Sequence, residues 1–188
     1  MNQTTKRMIS LAASVVGLVV LIALAVFAYG QFSNSVDNGP LESPQKTPSK
    51  AASDFTVTDS QGNSVKLSDS FGKPIVVNFW ASWCGPCQNE MPEFNKVYAE
   101  FKDSVVFLMV DLVDGQQETT ASGKAFVNKK GYTFPLYFDT LGEASKTYKI
   151  SSIPQTYFID KDGLIVKSFI GGLNEKTLRQ YIEMMTQD

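Results

Sequence analysis

The sequence predicts an α/β domain, a central mixed β-sheet flanked by helices, over residues 53–188. Three observations predict it. Two nearly unbroken apolar runs, Ile75 to Trp80 and Val105 to Val110, read as strands covered on both faces. Between them, Pro86 to Phe101 places Met91, Phe94, Val97, Tyr98 and Phe101 at the spacing of an amphipathic helix, which completes a parallel βαβ unit. Towards the other end, Thr156 to Ile159 and Leu164 to Ile170 flank Asp160-Lys161-Asp162-Gly163, a hairpin signal that adds antiparallel strands.

The remaining elements fall into place around this frame. Phe55-Thr56-Val57 and Val65-Lys66-Leu67 flank Ser60-Gln61-Gly62-Asn63, the turn of an added N-terminal β-hairpin. Glu118 to Lys130 reads as a helix, a short strand follows, and Thr140 to Tyr148 reads as a shorter helix; together they form a central insertion. Leu173 to Met185 closes the domain as an amphipathic helix with Asn174 as its N-cap. Phe134, Tyr137, Phe138, Tyr157 and Phe158 alternate at strand spacing and belong to the core.

Ahead of the domain the composition changes twice. Lys6 and Arg7 precede an uncharged apolar run from Met8 to Ala28, and about 20 such residues suffice to cross a hydrocarbon core. Residues 1–30 therefore read as a transmembrane signal anchor, with the basic flank holding the N-terminus in the cytoplasm and the rest of the chain outside. Cleaved secretion is the alternative, since Ala23-Leu24-Ala25 has a small-x-small form, but it sits inside the apolar run. Residues 31–52, with Pro40, Pro44 and Pro48 among Ser, Asn, Gln and Lys, read as a linker too polar to build a core.

Composition excludes several function classes. With 17 basic and 19 acidic residues the formal net charge is -2, which argues against a nucleic-acid partner bound through its phosphates. The chain has no His, so imidazole bases, Cys-His dyads and His-ligated metals are excluded. Only two Cys occur, Cys84 and Cys87, so no disulfide framework stabilises the fold and a four-ligand zinc site has too few ligands.

Those two cysteines carry the chemistry. Trp83-Cys84-Gly85-Pro86-Cys87 falls where a buried strand gives way to a helix. Cys84 at the helix N-terminus faces unpaired N–H groups and the positive end of the macrodipole, which favour a thiolate. Cys87, one turn later, can attack a mixed disulfide on Cys84 and release the partner. Pro86 suits a first helical turn, and Gly85 leaves the approach to the sulfur open. A pair of inert thiols or a purely structural bridge is the bland alternative, but so small a loop gains little as a cross-link and suits rapid exchange.

The run Val76-Val77-Asn78-Phe79-Trp80-Ala81-Ser82-Trp83-Cys84-Gly85-Pro86-Cys87 resembles the active-site segment of extracytoplasmic thioredoxin-like proteins of the TlpA/ResA type. The resemblance continues at Glu90-Met91-Pro92, Ile153-Pro154-Gln155-Thr156-Tyr157-Phe158-Ile159-Asp160, Asp162-Gly163 and Gly171-Gly172. It implies a thioredoxin fold, reversible dithiol–disulfide exchange without a dissociable cofactor, and a cis peptide bond before Pro154. It also implies that Ile153 and Pro154 dock an extended partner peptide, with Trp80 and Trp83 shaping the rim. Asn78 stands where cytoplasmic thioredoxins carry a buried Asp, whereas the resembling group has a Glu at the position of Glu90. One helical turn puts Glu90 on the Cys87 side, where burial would let it take the Cys87 proton; a solvated first-turn Glu is the other reading.

By the same resemblance the partners are extracytoplasmic protein disulfides or thiols, with a membrane-embedded thiol transporter as electron donor. Cytochrome c haem-attachment cysteines or an oxidised methionine sulfoxide reductase would be the substrates. Gly-Pro between the cysteines resembles reducing thioredoxins, at about -270 mV, rather than strong oxidants, at about -120 mV. Two other functions compete: a non-enzymatic binding module, opposed by the intact Cys pair, and a thiol peroxidase, opposed by Ala81, which stands where that chemistry needs Thr or Ser. Gly123-Lys124 follows Gly115 at the wrong interval for a phosphate-binding loop, and Ala125 replaces its hydroxyl residue.

Overall fold

In the computed structural model, which describes residues 20–22, 24 and 50–186, strand pairing starts at β1 (Lys50–Ala51). A hairpin follows, β2 (Thr56–Asp59) and β3 (Ser64–Lys66), then a 3-10 turn over Leu67–Ser70. The βαβ unit is β4 (Ile75–Trp80), α1 (Gly85–Phe101) and β5 (Val106–Asp111). Then come α2 (Thr120–Lys130), β6 (Leu136–Phe138) and the short α3 (Glu143–Thr147). The chain closes with β7 (Gln155–Ile159), β8 (Leu164–Ile170) and α4 (Glu175–Thr186).

The strands form a single sheet in the order β1-β8-β7-β4-β5-β6-β2-β3. β4 pairs parallel with β5, and β5 with β6; β7 pairs antiparallel with β4 and with β8. All six residues of β4 are buried, as a nearly all-apolar central strand demands. Its alternating side chains feed two cores. On one face Val76 and Trp80 pack with Phe107, Met109 and Phe158 against Met91, Phe94 and Val97 of α1, Val127 of α2, and Leu178, Ile182 and Met185 of α4. On the other, Ile75, Val77 and Phe79 pack with Leu108, Val110 and Ile159 against Phe55, Val57, Leu67 and Ala144. The mixed sheet flanked by helices is the expected class, and the added hairpin joins it by pairing β2 with β6.

Three differences have local causes. The strand expected through Leu67 stops at Lys66, because the Asp69 carboxylate accepts the Lys66 N–H and turns the chain. The helix expected from Glu118 starts at Thr120, because Thr119 is its N-cap: the Thr119 hydroxyl accepts the Ser122 N–H at 3.0 Å. Lys50 and Ala51, within the stretch read as linker, already pair with Ile165 and Leu164, and so cover part of a strand edge that would otherwise be open. The expected N-cap of the last helix is present, since Asn174 Oδ1 accepts the Thr177 N–H at 2.9 Å.

The anchor expected over residues 1–30 and most of the linker lie outside the described residues. Val20, Leu21, Ile22 and Leu24 are helical and exposed, within a unit, Met1–Lys46, separate from the one that holds the sheet, Thr47–Asp188. Among the described residues no helix is long and apolar enough to cross a membrane.

Candidate active site

The two cysteines sit where β4 runs out and α1 begins. Cys84 is the N-cap of α1, extended at φ -76° and ψ 108°, and its sulfur accepts the Cys87 N–H at 3.2 Å. A sulfur thus takes the place of the usual capping oxygen and satisfies an orphan N–H of the helix. The pair is oxidised, Cys84–Cys87, with Cα atoms 5.2 Å apart. Cys84 is 4% exposed and Cys87 fully buried, so Cys84 is the outer of the two. Gly85 and Pro86 are exposed beside the pair, and a Cβ added at Gly85 would meet nothing within 4 Å. Approach from that side is open.

Ile153 and Pro154, far away in sequence, are brought against this corner. The bond between them is cis, and the Ile153 carbonyl oxygen lies 3.8 Å from Cys84 Sγ. The Pro154 carbonyl accepts the Gly171 N–H at 2.8 Å, which ties the loop to the end of β8. Trp83 stands beside them, 49% exposed. Trp80 does not belong to the rim expected of it: it is fully buried, its ring 5.7 Å from that of Phe126. The reason is its place as the last inward residue of a strand covered on both faces.

Glu90 lies one turn beyond Cys87 on the buried side of α1, 2% exposed. Its Oε2 accepts the Leu173 N–H at 2.8 Å and its Oε1 accepts from Asn78 Nδ2 at 2.9 Å. The same Asn78 amide donates to Thr156 Oγ1 at 3.0 Å. Burial pushes the Glu90 carboxyl up to about 7, although both donors pull it the other way. The solvated-Glu reading therefore falls. Asn78, which stands where cytoplasmic thioredoxins carry a buried Asp, links the acid to the β7 strand.

One cluster escaped the sequence reading. Glu118 Oε2 accepts both the N–H and the hydroxyl of Ser82, each at 2.8 Å, and thereby holds the loop between Trp80 and Cys84. Asp111, the last residue of β5, is fully buried nearby. An acid closing a buried apolar strand was the available signal. Among the described residues no cluster of three or more His, Cys, Asp or Glu side chains could hold a metal ion.

The model of the AhpC/TSA family matches residues 48–168 of the chain. Thiol-disulfide oxidoreductase ResA of Bacillus thuringiensis (strain Al Hakam) is 36% identical over 137 residues, covering 73% of this chain and 78% of the relative. Among solved structures, StoA from Bacillus subtilis is 30% identical, superposes with a TM-score of 0.61, and is covered over 96% of its length by 69% of this chain. The pneumococcal exposed lipoprotein thioredoxin Etrx1 from Streptococcus pneumoniae strain TIGR4 is also 30% identical, with a TM-score of 0.62, 70% of this chain covering 99% of it.

Proposed function

This chain belongs to the AhpC/TSA family, to its ResA-type thiol-disulfide oxidoreductases, and from that premise we propose that it reduces protein disulfides on the extracytoplasmic side of a membrane through Cys84 and Cys87. Its fold is the thioredoxin fold of the structures it resembles. The observation that carries the reading is the sulfur of Cys84: it caps α1, faces the Ile153 carbonyl at 3.8 Å, and has Cys87 one turn behind it.

In the reduced enzyme, the Cys84 thiolate attacks one sulfur of a substrate disulfide. The substrate S–S bond breaks, a mixed disulfide forms on Cys84, and the other substrate sulfur leaves as a thiolate that takes up a proton. Glu90, with a carboxyl that titrates near neutrality, accepts the Cys87 proton. The Cys87 thiolate then attacks Cys84 Sγ, closes the Cys84–Cys87 disulfide and releases the second substrate sulfur. Two electrons pass to the substrate, and a dithiol donor in the membrane returns them. An extended substrate segment pairs with the Ile153 backbone, flanked by Trp83 and with Pro154 beneath. Residues 1–30 tether the domain to that membrane.

Ala81, fully buried three residues before Cys84, offers no hydroxyl for peroxide chemistry. The assignment of roles is tested by Cys87→Ser. The attacking sulfur remains and nothing resolves it, so membranes carrying the variant should accumulate mixed disulfides on non-reducing gels that vanish on reduction. The same pattern in Cys84→Ser would refute the assignment.

A further inference from the structure

Beneath the loop that delivers Cys84 lie two acids that the exchange reaction does not use. Asp111 pairs in register with Trp80 at the end of the sheet and is fully buried. Neither of its carboxyl oxygens has a hydrogen-bond partner among the described residues. Glu118, equally buried, accepts from the Ser82 N–H and hydroxyl through Oε2, and from the Ser122 hydroxyl through Oε1 at 2.8 Å. Both acids converge on one point of α2. A Cβ added at Gly123 would overlap Asp111 Oδ2 and stand 3.5 Å from Glu118 Oε1.

Among the described residues no cation offsets them. From α2, Lys124 turns to the Ser60 carbonyl at 2.9 Å and lies over the Phe138 ring. On the connecting loop the exposed Asp114 accepts the Gln116 and Glu118 N–H groups. From β6 and beyond, Phe138 stands opposite Asp111, and the Asp139 carboxylate accepts the Ala144 and Ser145 N–H groups. From β4 comes Trp80, and from the loop after it Ser82; neither carries a charge.

Two carboxylates converging out of water without a cation cannot both be charged at low cost. Glu118 accepts from three donors; Asp111 has none among the described residues. Burial and the Glu118 charge push the Asp111 carboxyl up to about 8. We propose that Asp111 is a positioning residue for the exchange reaction: as a neutral acid it sits beside Glu118 without repelling it, so that Glu118 grips Ser82 and the loop presents Cys84, and a charge on Asp111 loosens that grip. The inference rests on the exchange role proposed above for Cys84.

The test uses the oxidised full chain, in which the cysteines do not titrate and Trp80 and Trp83 are the two tryptophans. Tryptophan emission against pH should show a step near pH 8. Asp111→Asn, which keeps the shape and cannot ionise, should abolish it. Glu118→Gln, which removes the like charge, should move the step towards acid. Protection of the Ser82 amide against hydrogen exchange should fall about tenfold across the step in the wild type and stay level in Asp111→Asn. A step surviving Asp111→Asn, a midpoint unmoved by Glu118→Gln, or no step between about pH 7 and 9 would each overturn the proposal. Because emission needs no turnover, an inactive enzyme that keeps the step would count against the role of Cys84 alone. An active enzyme without the step would count against Asp111 alone.

Discussion

Cys84 and Cys87 share a helix but not an environment. Cys84 Sγ receives the Cys87 N–H and sits at the positive end of α1, whereas Cys87 is sealed between α1 and the sheet. A helix N-terminus stabilises an anion by about 0.3–1 kcal/mol, more where partly buried, and one pKa unit is about 1.4 kcal/mol. In the reduced ectodomain, Cys84 should therefore titrate below the usual thiol value of about 8.5 and alkylate first. Mass spectrometry of iodoacetamide adducts against pH reads both. Initial modification at Cys87, or a Cys84 midpoint above the reference, would contradict the geometry. The placing of Cys84, Cys87 and Glu90 one turn apart was legible in the sequence because it follows from the spacing of one helix; the candidacy of Glu90 came from the resemblance. The partners of Glu90 were not legible: Leu173 and Asn78 come from a loop and a strand that reach it only after folding.

Among the elements, α2 and β5 approach closely at Gly123 and Asp111. Gly123 looked in the sequence like a fragment of a phosphate loop; its real constraint is the Asp111 carboxyl, which occupies the space of a side chain there. Replacing Gly123 by Ala forces α2 or Asp111 to shift, and overpacking of this kind costs about 1–3 kcal/mol. Helix propensity works the other way by roughly 1 kcal/mol, so a net loss would be a steric signal. We expect Gly123→Ala to lower the urea midpoint, and to lower it much less in an Asp111→Ala background. Equal effects in both backgrounds would show that the two residues do not touch energetically. The helices α1 and α4, by contrast, were readable from their apolar spacing alone, since Leu178, Ile182 and Met185 mark the buried face of α4. β1 was not readable, because Lys50 and Ala51 carry no strand signal of their own and pair only because β8 has an edge to offer.

For the whole molecule, two buried acids tie stability to pH in an unusual direction. Glu90 is raised from 4.5 to about 7 and Asp111 from 3.8 to about 8, so the folded state holds protons that the unfolded chain has already released. Stability linked to these groups is fully present below their unfolded values and is lost as pH rises through the folded ones. For Glu90 alone the loss is on the order of 3 kcal/mol. Asp54 is exposed; slight desolvation raises its carboxyl, but hydrogen bonds from Ser68 and Phe55 together hold it below the usual value, so it acts oppositely in more acid solution. The oxidised protein should be more stable at about pH 5 than at about pH 8, and Glu90→Gln should flatten that difference. Denaturant titrations at the two pH values decide it, and a wild type more stable at the higher pH would overturn the reading. The sequence by itself determined the α/β class, the βαβ unit, the terminal hairpin and the placing of Cys84-Gly85-Pro86-Cys87 at a strand-to-helix junction. Periodicity, turn chemistry and one-turn spacing are local properties, written within a few residues of where they act. Only the tertiary structure decided that Trp80 is core, that the Ile153 carbonyl meets Cys84, and that Glu118 holds Ser82 with Asp111 beside it. Burial and pairing across long stretches of chain are set when the sheet closes, and no local pattern records which distant groups will then share a space from which water is excluded.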